Sequence, residues 1–248
     1  MKKTLLITGA SRGIGAATAL LAGKRGYNVC VNYLSNSEAA SKVVSQIKTD
    51  GGHAIAYQAD VSKEPEVLNL FQKIDQDFGA IHALVNNAGI LETQSRVDQL
   101  ELERLHRVLN ANVVSSFLCA REAIRRMSTR HGGDGGAIVN VSSIASRTGS
   151  PNEYVDYAMS KGAIDTFTIG LAKELAGEGI RVNGVRPGFI YTDIHAAGGE
   201  PNRVDRIKAT LPMQRGGQPE EVANAILWLL SDEASFSTGS FIDVTGGR

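Results

Sequence analysis

The chain has 248 residues with 26 basic and 26 acidic side chains, so its formal net charge is zero. That balance removes the electrostatic case for nucleic acid or an anionic membrane as partner, and the length suits one globular domain spanning 1–248. Cys30 and Cys119 stand alone, with no CxxC spacing, which predicts buried structural thiols in a reducing, cytoplasmic protein.

In chain order, the first apolar run is Thr4-Leu-Leu-Ile-Thr8, and it stops at Gly9. It is too short for the apolar region of a secretory signal, so it reads as a first strand. Further strands are predicted at 28–33, 53–58, 81–86, 136–142, 180–186 and 240–244, with the first at 4–8. Helices are predicted between them near 14–25, 36–49, 64–78, 99–130, 152–177 and 219–231. Strict alternation of strand and helix predicts an α/β fold: a single Rossmann-type doubly wound domain, with a seven-stranded parallel sheet and helices on both faces. Leu102, Leu105, Leu109, Val113, Phe117, Ala120, Ile124 and Met127 repeat every three to four residues, which predicts one continuous helix packed along its whole length. Gly132-Gly-Asp-Gly-Gly136 reads as a surface turn, and 191–217 as a long irregular segment covering a site. The apolar run Ala225–Leu230 falls far short of the roughly 20 residues of a membrane span.

Chemistry enters at the end of the first strand. Gly9, Gly13 and Gly15 in Thr8-Gly-x-x-x-Gly-x-Gly15 separate that strand from a helix. Such a turn lets backbone approach a pyrophosphate, and the free N–H groups of the new helix favour its charge. The spacing differs from G-x-G-x-x-G, so the turn is a phosphate cradle of another pattern. Farther on, Tyr157 and Lys161 are four residues apart in a predicted helix and share one face. A cation beside a phenol favours the phenolate, so the pair suits proton transfer near neutral pH. Tyr154 is a weaker choice, because Ala158 stands four residues after it.

Together these segments resemble the classical short-chain dehydrogenase/reductase family over essentially the whole chain. Within it they resemble a bacterial oxidoreductase branch near members similar to glucose 1-dehydrogenase and 3-oxoacyl-carrier-protein reductase. The resemblance implies a cofactor loop including Gly9, Ser11, Arg12, Gly13, Ile14 and Gly15, an adenine contact at Asp60-Val61, and a cofactor-side segment at Asn87, Ala88 and Gly89. It implies a catalytic tetrad of Asn112, Ser143, Tyr157 and Lys161, and a nicotinamide clamp from Pro187 and Gly188 through Ile190 to Thr192. A dinucleotide on that loop would bring its nicotinamide toward the ends of the fifth and sixth strands. Negative charge on a carbonyl being reduced would then meet Ser143, which orients the oxygen, and Tyr157, which supplies the proton. Lys161 would lower the phenol pKa and hold the ribose, and Asn112 would anchor a water in a proton relay. Ser142 and Ser143 face opposite ways in a strand, and Ser143 is preferred by its position in the family pattern.

Cofactor choice is read at the end of the second strand. An NAD-selective site places a carboxylate there for the ribose hydroxyls, but Tyr33 takes the place, flanked by Asn32, Ser35 and Asn36. Arg12 adds a cation, so NADP(H) is expected in preference to NAD(H), with both accepted in principle. His53, His82, His106, His131 and His195 lack ligand spacing, and no metal is expected. The resemblance also implies a homotetramer, with a dimer as fallback. The partner is a small carbonyl or alcohol, shaped by 93–98, 144–153 and 191–217. A non-catalytic dinucleotide sensor is the rival class, but it would not need the four tetrad residues together.

Overall fold

The central strands are buried at nearly every position because both faces of their sheet are covered. Residues 2–248 are described in a computed structural model. Its strands are β1 (Thr4–Ile7), β2 (Asn28–Tyr33), β3 (His53–Gln58), β4 (Ala83–Asn86), β5 (Gly136–Val141), β6 (Ile180–Pro187) and β7 (Phe241–Val244). They form one seven-stranded sheet in the order β3-β2-β1-β4-β5-β6-β7, every pair parallel. The order reverses between β1 and β4, and such a switch point opens a crevice at the carboxyl ends of the strands.

Side-chain alternation divides the core. Leu5, Ile7, Val29, Val31, Val85 and Val139 join one apolar cluster. It is covered by α1 (Gly13–Lys24), α2 (Ser37–Thr49) and α10 (Pro219–Leu230). Leu6, Cys30, Leu84 and Ile138 join the other, with α3 (Glu64–Phe78), α5 (Ser115–Met127) and α7 (Val155–Leu175). Both cysteines are free and buried. Burial pushes the Cys119 thiol up to about 12, which makes it unreactive.

Three predicted elements differ from the fold. The helix expected over 99–130 is divided into α4 (Leu102–Leu109), a π turn at Asn110–Val114, and α5. An apolar repeat does not register the one-residue slip of such a turn. The stripe is also not covered along its length, since Leu102 is 59% exposed and Phe117 50% exposed. The helix expected from 152 begins at Val155. Ser150 and Asn152 flank Pro151 with left-handed φ values of 43° and 63°, and a helix cannot run through them. Residues 191–217 are more ordered than expected, with α8 (Ile194–Ala197), α9 (Arg203–Ile207) and a bridge from Ile190 to Gly217. One more short helix, α6 (Ala145–Thr148), follows β5.

Candidate active site

A cleft of about 1090 Å³ opens at the switch point. Its first wall is the turn between β1 and α1. Gly9 and Gly13 have φ values of 61° and 55°, where an L side chain is strained. At α1, as at most helices of the fold, no side chain caps the first turn. The first N–H groups of α1 are therefore left for an anion. Ser11, Arg12, Gly13 and Ile14 line this part of the cleft. Gly15 does not. A Cβ there would lie 2.5 Å from the Gly9 carbonyl oxygen and 2.6 Å from Asn87 Nδ2, so its missing side chain serves turn packing.

The turn is held from β4. Thr8 Oγ1 accepts from the backbone N–H groups of Asn87 and Ala88, both at 2.9 Å. Asn87 Nδ2 donates to the carbonyls of Thr8 and Gly9 at 2.8 and 3.1 Å. Asn87, Ala88 and Gly89 thus form the floor of the cleft. Asp60 and Val61 line its far end. Burial works against the Asp60 carboxylate, but two hydrogen bonds from Ser62 outweigh it and hold its pKa below the usual range.

At the end of β2 the expected contacts are redistributed. Asn32 is 1% exposed; its Oδ1 accepts from Gly9 N and its Nδ2 donates to the carbonyls of Tyr57 and Ala59. Its amide ties the glycine turn to β3, so its donors are committed within the protein. Tyr33 packs on the apolar cluster beneath α1, because strand alternation puts it on the face of Val29 and Val31. Leu34, Ser35 and Asn36 line the cleft instead. No carboxylate stands among them, and Arg12 is exposed with no ion pair among the described residues.

The second wall joins β5 to α7. Both serines line the cleft, but Ser142 is buried and donates to the Lys161 carbonyl at 3.2 Å, whereas Ser143 is partly exposed and accepts from Ala145 N at 3.1 Å. Tyr157 and Lys161 line the same wall. Tyr154 is 2% exposed and donates to the Gly198 carbonyl at 3.1 Å, so its hydroxyl is engaged in holding the covering segment. Burial pushes the Tyr157 phenol up to about 12; a hydrogen bond from Ser143 and the Arg203 charge act in the opposite direction. Lys161 is not among the groups that lower it. The reason is its own surroundings: Lys161 Nζ donates to the Val141 carbonyl at 2.8 Å, and burial depresses the ammonium to about 8.

Asn112 is 1% exposed and sits behind the cleft. Its Oδ1 accepts from Ile90 N at 2.7 Å, and its Nδ2 donates to the Ile90 carbonyl and to Ser160 Oγ. These side-chain bonds brace the π turn against α7 and the segment after β4. On the remaining side, Pro187, Gly188, Ile190 and Thr192 line the cleft, and a Cβ at Gly13 would come within 3.3 Å of Thr192 Cγ2. The fit to a dinucleotide rests on three features: the uncapped helix start, two left-handed glycines, and the cleft running from there to Tyr157.

Two lining residues, Glu92 and Arg248, lie outside the segments expected to shape the pocket. Glu92, Glu153, His195, Arg203 and Arg248 all reach the cleft. Arg203 pairs with Glu153 from 50 residues away, a juxtaposition no local spacing encodes. Residues 93–98 were expected to shape the pocket, but Leu91 and Glu92 do so instead, while the Thr93 carbonyl is taken by Arg104 Nη1 at 2.6 Å. Among the described residues, no group of three or more His, Cys, Asp or Glu gathers to hold a metal.

A parallel sheet of this order with its cleft at the switch point defines a Rossmann-like enzyme fold. The family model that matches residues 9–248 carries the description enoyl-(acyl carrier protein) reductase. The uncharacterized oxidoreductase YgfF of Escherichia coli (strain K12) is 63% identical over 243 residues, covering 98% of each chain. Glucose 1-dehydrogenase 2 of Bacillus subtilis (strain 168) is 39% identical, covering 99% of this chain and 94% of its own. The 3-oxoacyl-[acyl-carrier-protein] reductase FabG of Staphylococcus epidermidis (strain ATCC 35984) is 37% identical, covering 100% of this chain and 99% of its own. A crystal structure of a short-chain type dehydrogenase/reductase from Mycobacterium marinum superposes with a TM-score of 0.92 at 34% identity, covering 98% of this chain and 94% of that one. The chain belongs to the short-chain dehydrogenase/reductase family and is an oxidoreductase of that family.

Proposed function

We propose that the protein interconverts a small-molecule carbonyl and an alcohol, using NADP(H) in preference to NAD(H), with the whole chain 1–248 acting as one domain. The observation that carries this reading is the wall formed by Ser143, Tyr157 and Lys161 in a cleft that begins at the glycine turn. When bound, the cofactor supplies the hydride. The residues proposed to hold it are Gly9, Ser11, Arg12, Gly13, Ile14, Asp60, Val61, Asn87, Ala88, Gly89, Pro187, Gly188, Ile190 and Thr192, with Ser35 at the ribose end.

The protein's own part is proton and charge management. A phenol held near 12 stays protonated at neutral pH, so Tyr157 starts as the acid and suits the direction of carbonyl reduction. Ser143 hydrogen-bonds the substrate oxygen and steadies the charge that grows on it. Lys161, with one N–H held by Val141, has two further donors for the ribose hydroxyls. Its charge then bears on the phenol as the proton leaves. Asn112 acts by fixing the Ile90 segment beside Gly89.

The preference for NADP(H) is supported by what is missing and what is present at the end of β2. No carboxylate is there to repel a 2′-phosphate, and Arg12 is available to attract one. Assembly is proposed to be a homotetramer, with a dimer as the simpler alternative. It is supported by exposed apolar side chains on α5 and α7, where Phe117 and Ile169 are 50% and 41% exposed. No helix among the described residues is long and apolar enough to cross a membrane, and we propose a cytoplasmic location. The reading is tested with a panel of ketones, aldoses and 3-oxoacyl thioesters assayed with NADPH and NADH. NADPH-linked reduction of at least one carbonyl is expected, and a protein that binds the dinucleotide yet turns over none would be a sensor.

A further inference from the structure

Two residues that line the cleft each carry a buried polar atom with no partner within the protein: Arg203 Nη1 and His195 Nδ1. Both belong to the segment that covers the cleft after β6, and both residues are at least nine-tenths buried, at 6% and 9% exposure. Buried groups of this kind ordinarily find a partner, so an unpaired donor and an unpaired acceptor in one cleft point to a ligand that supplies the complements.

The chemistry of each atom can be read from its other contacts. His195 Nε2 lies 2.9 Å from the Ile190 carbonyl oxygen, which can only accept, so Nε2 carries the hydrogen and Nδ1 is a bare acceptor. Burial lowers the pKa of the ring and keeps it neutral. Arg203 is fixed between aromatic rings, its guanidinium carbon 4.5 Å from the Tyr154 centroid and 5.5 Å from that of Phe189. Its Nη2 donates to Glu153, but Glu153 Oε1 is also 3.8 Å from Arg206, so one carboxylate serves two cations. Arg248 brings another guanidinium to 4.9 Å from the Phe189 centroid. Two of the nearby acids are already engaged. Glu92 is taken bidentately by Arg107, and Glu200 by Arg206 and Gln94. Asp193 also lines the cleft and forms no ion pair among the described residues. Arg203 also lowers the Tyr157 pKa, so its charge is felt at the proton donor.

Building on the reading of this cleft as a carbonyl-reducing site, we propose that Arg203 and His195 select a small oxo acid. Its carboxylate accepts from Arg203 Nη1, and a neighbouring hydroxyl donates to His195 Nδ1. A guanidinium reads a carboxylate better than any neutral group: a neutral aldose offers it only an uncharged hydroxyl, and an alkyl chain offers no acceptor.

The test uses hydroxypyruvate and dihydroxyacetone, which share a carbonyl and a hydroxyl and differ only by carboxylate against hydroxymethyl. Calorimetry on the NADP⁺-loaded protein should show hydroxypyruvate binding about 10- to 100-fold tighter, the worth of a charge-assisted hydrogen bond. Arg203→Met keeps the stem between the rings and should bring the ratio close to one, while Arg203→Lys recovers part of it. A purely structural Arg203 would weaken both ligands equally and leave the ratio unchanged, which overturns the proposal. Should Arg203→Met fail to bind NADP⁺, the wild-type ratio decides alone, and equal affinities sink the idea. Turnover is scored separately. Reduction of neutral ketones with no preference for the acid overturns this inference and leaves the proposed function standing. Selective binding of hydroxypyruvate by a protein that reduces nothing does the reverse.

Discussion

Lys161 Nζ donates to the carbonyl of Val141, the last residue of β5, and the Ser142 hydroxyl returns a hydrogen bond to the Lys161 carbonyl. This reciprocal tie locks α7 to the strand end, so Ser143 and Tyr157 occupy one wall without either being fixed by the other alone. The arrangement costs the ammonium its solvent, and that cost has a pH signature.

Lys161 falls from 10.5 to about 8 on burial. The unfolded chain therefore holds more protons on this residue between those values, and stability from it rises with pH across that window. Below pH 8 both states are protonated and the full burial cost remains. Relative to Lys161→Met, the wild type should gain about 2–3 kcal/mol between pH 8 and pH 10, read from urea unfolding. Tyr157 acts oppositely above pH 10, since its raised pKa favours the folded state less as pH climbs toward 12. Parallel pH profiles for wild type and variant would show that the ammonium is not strained.

Arg12 is exposed and lines the cleft beside the uncapped start of α1. Arg12→Ala should weaken NADPH by about 10-fold or more, the worth of a charge-assisted contact, and leave NADH nearly unchanged. Equal weakening of both, measured as Kd by fluorescence titration, would assign Arg12 to the shared pyrophosphate instead.

Asn112 separates two mechanisms. As a brace for Ile90 and Ser160 it should cost about 1–3 kcal/mol of stability when replaced by Ala, because the Ile90 groups lose buried partners. As a pure water anchor it would lower turnover and leave unfolding untouched. The first result is expected, with a fall in cofactor affinity beside it.

The strand positions and the glycine turn were legible because short apolar runs alternating with helices, and Gly9, Gly13 and Gly15, are local signals. Alternation said only that one of Ser142 and Ser143 faces the cleft, and the family pattern chose Ser143; Ser142 turns to Lys161. Asn32, Tyr33 and Asn112 were less readable. Their side chains are committed to groups far away in sequence, Gly9 and Ala59 for one and Ile90 for another. The same holds for Arg203 and Glu153, whose meeting depends on how the segment after β6 folds back. The π turn at Asn110–Val114 escaped notice because it leaves the apolar repeat nearly intact.

Phe117 lies with its ring 6.3 Å from that of Phe167, and α7 presents further exposed apolar residues in Met159 and Ile169. Phe117→Glu should break the proposed assembly, giving smaller species by light scattering at micromolar concentration with little loss of folding. A wild type that is already a stable, active monomer would contradict the proposed tetramer and dimer alike.

The most direct measurement is the turnover of Tyr157→Phe with NADPH and whichever carbonyl the panel identifies. The variant removes one hydroxyl from a cleft wall whose tethers run through Lys161, Ser142 and Val141, so NADPH affinity should stay within about twofold while kcat falls roughly 100-fold or more. A kcat close to that of the wild type, with the cofactor still bound, would show that the proton comes from elsewhere.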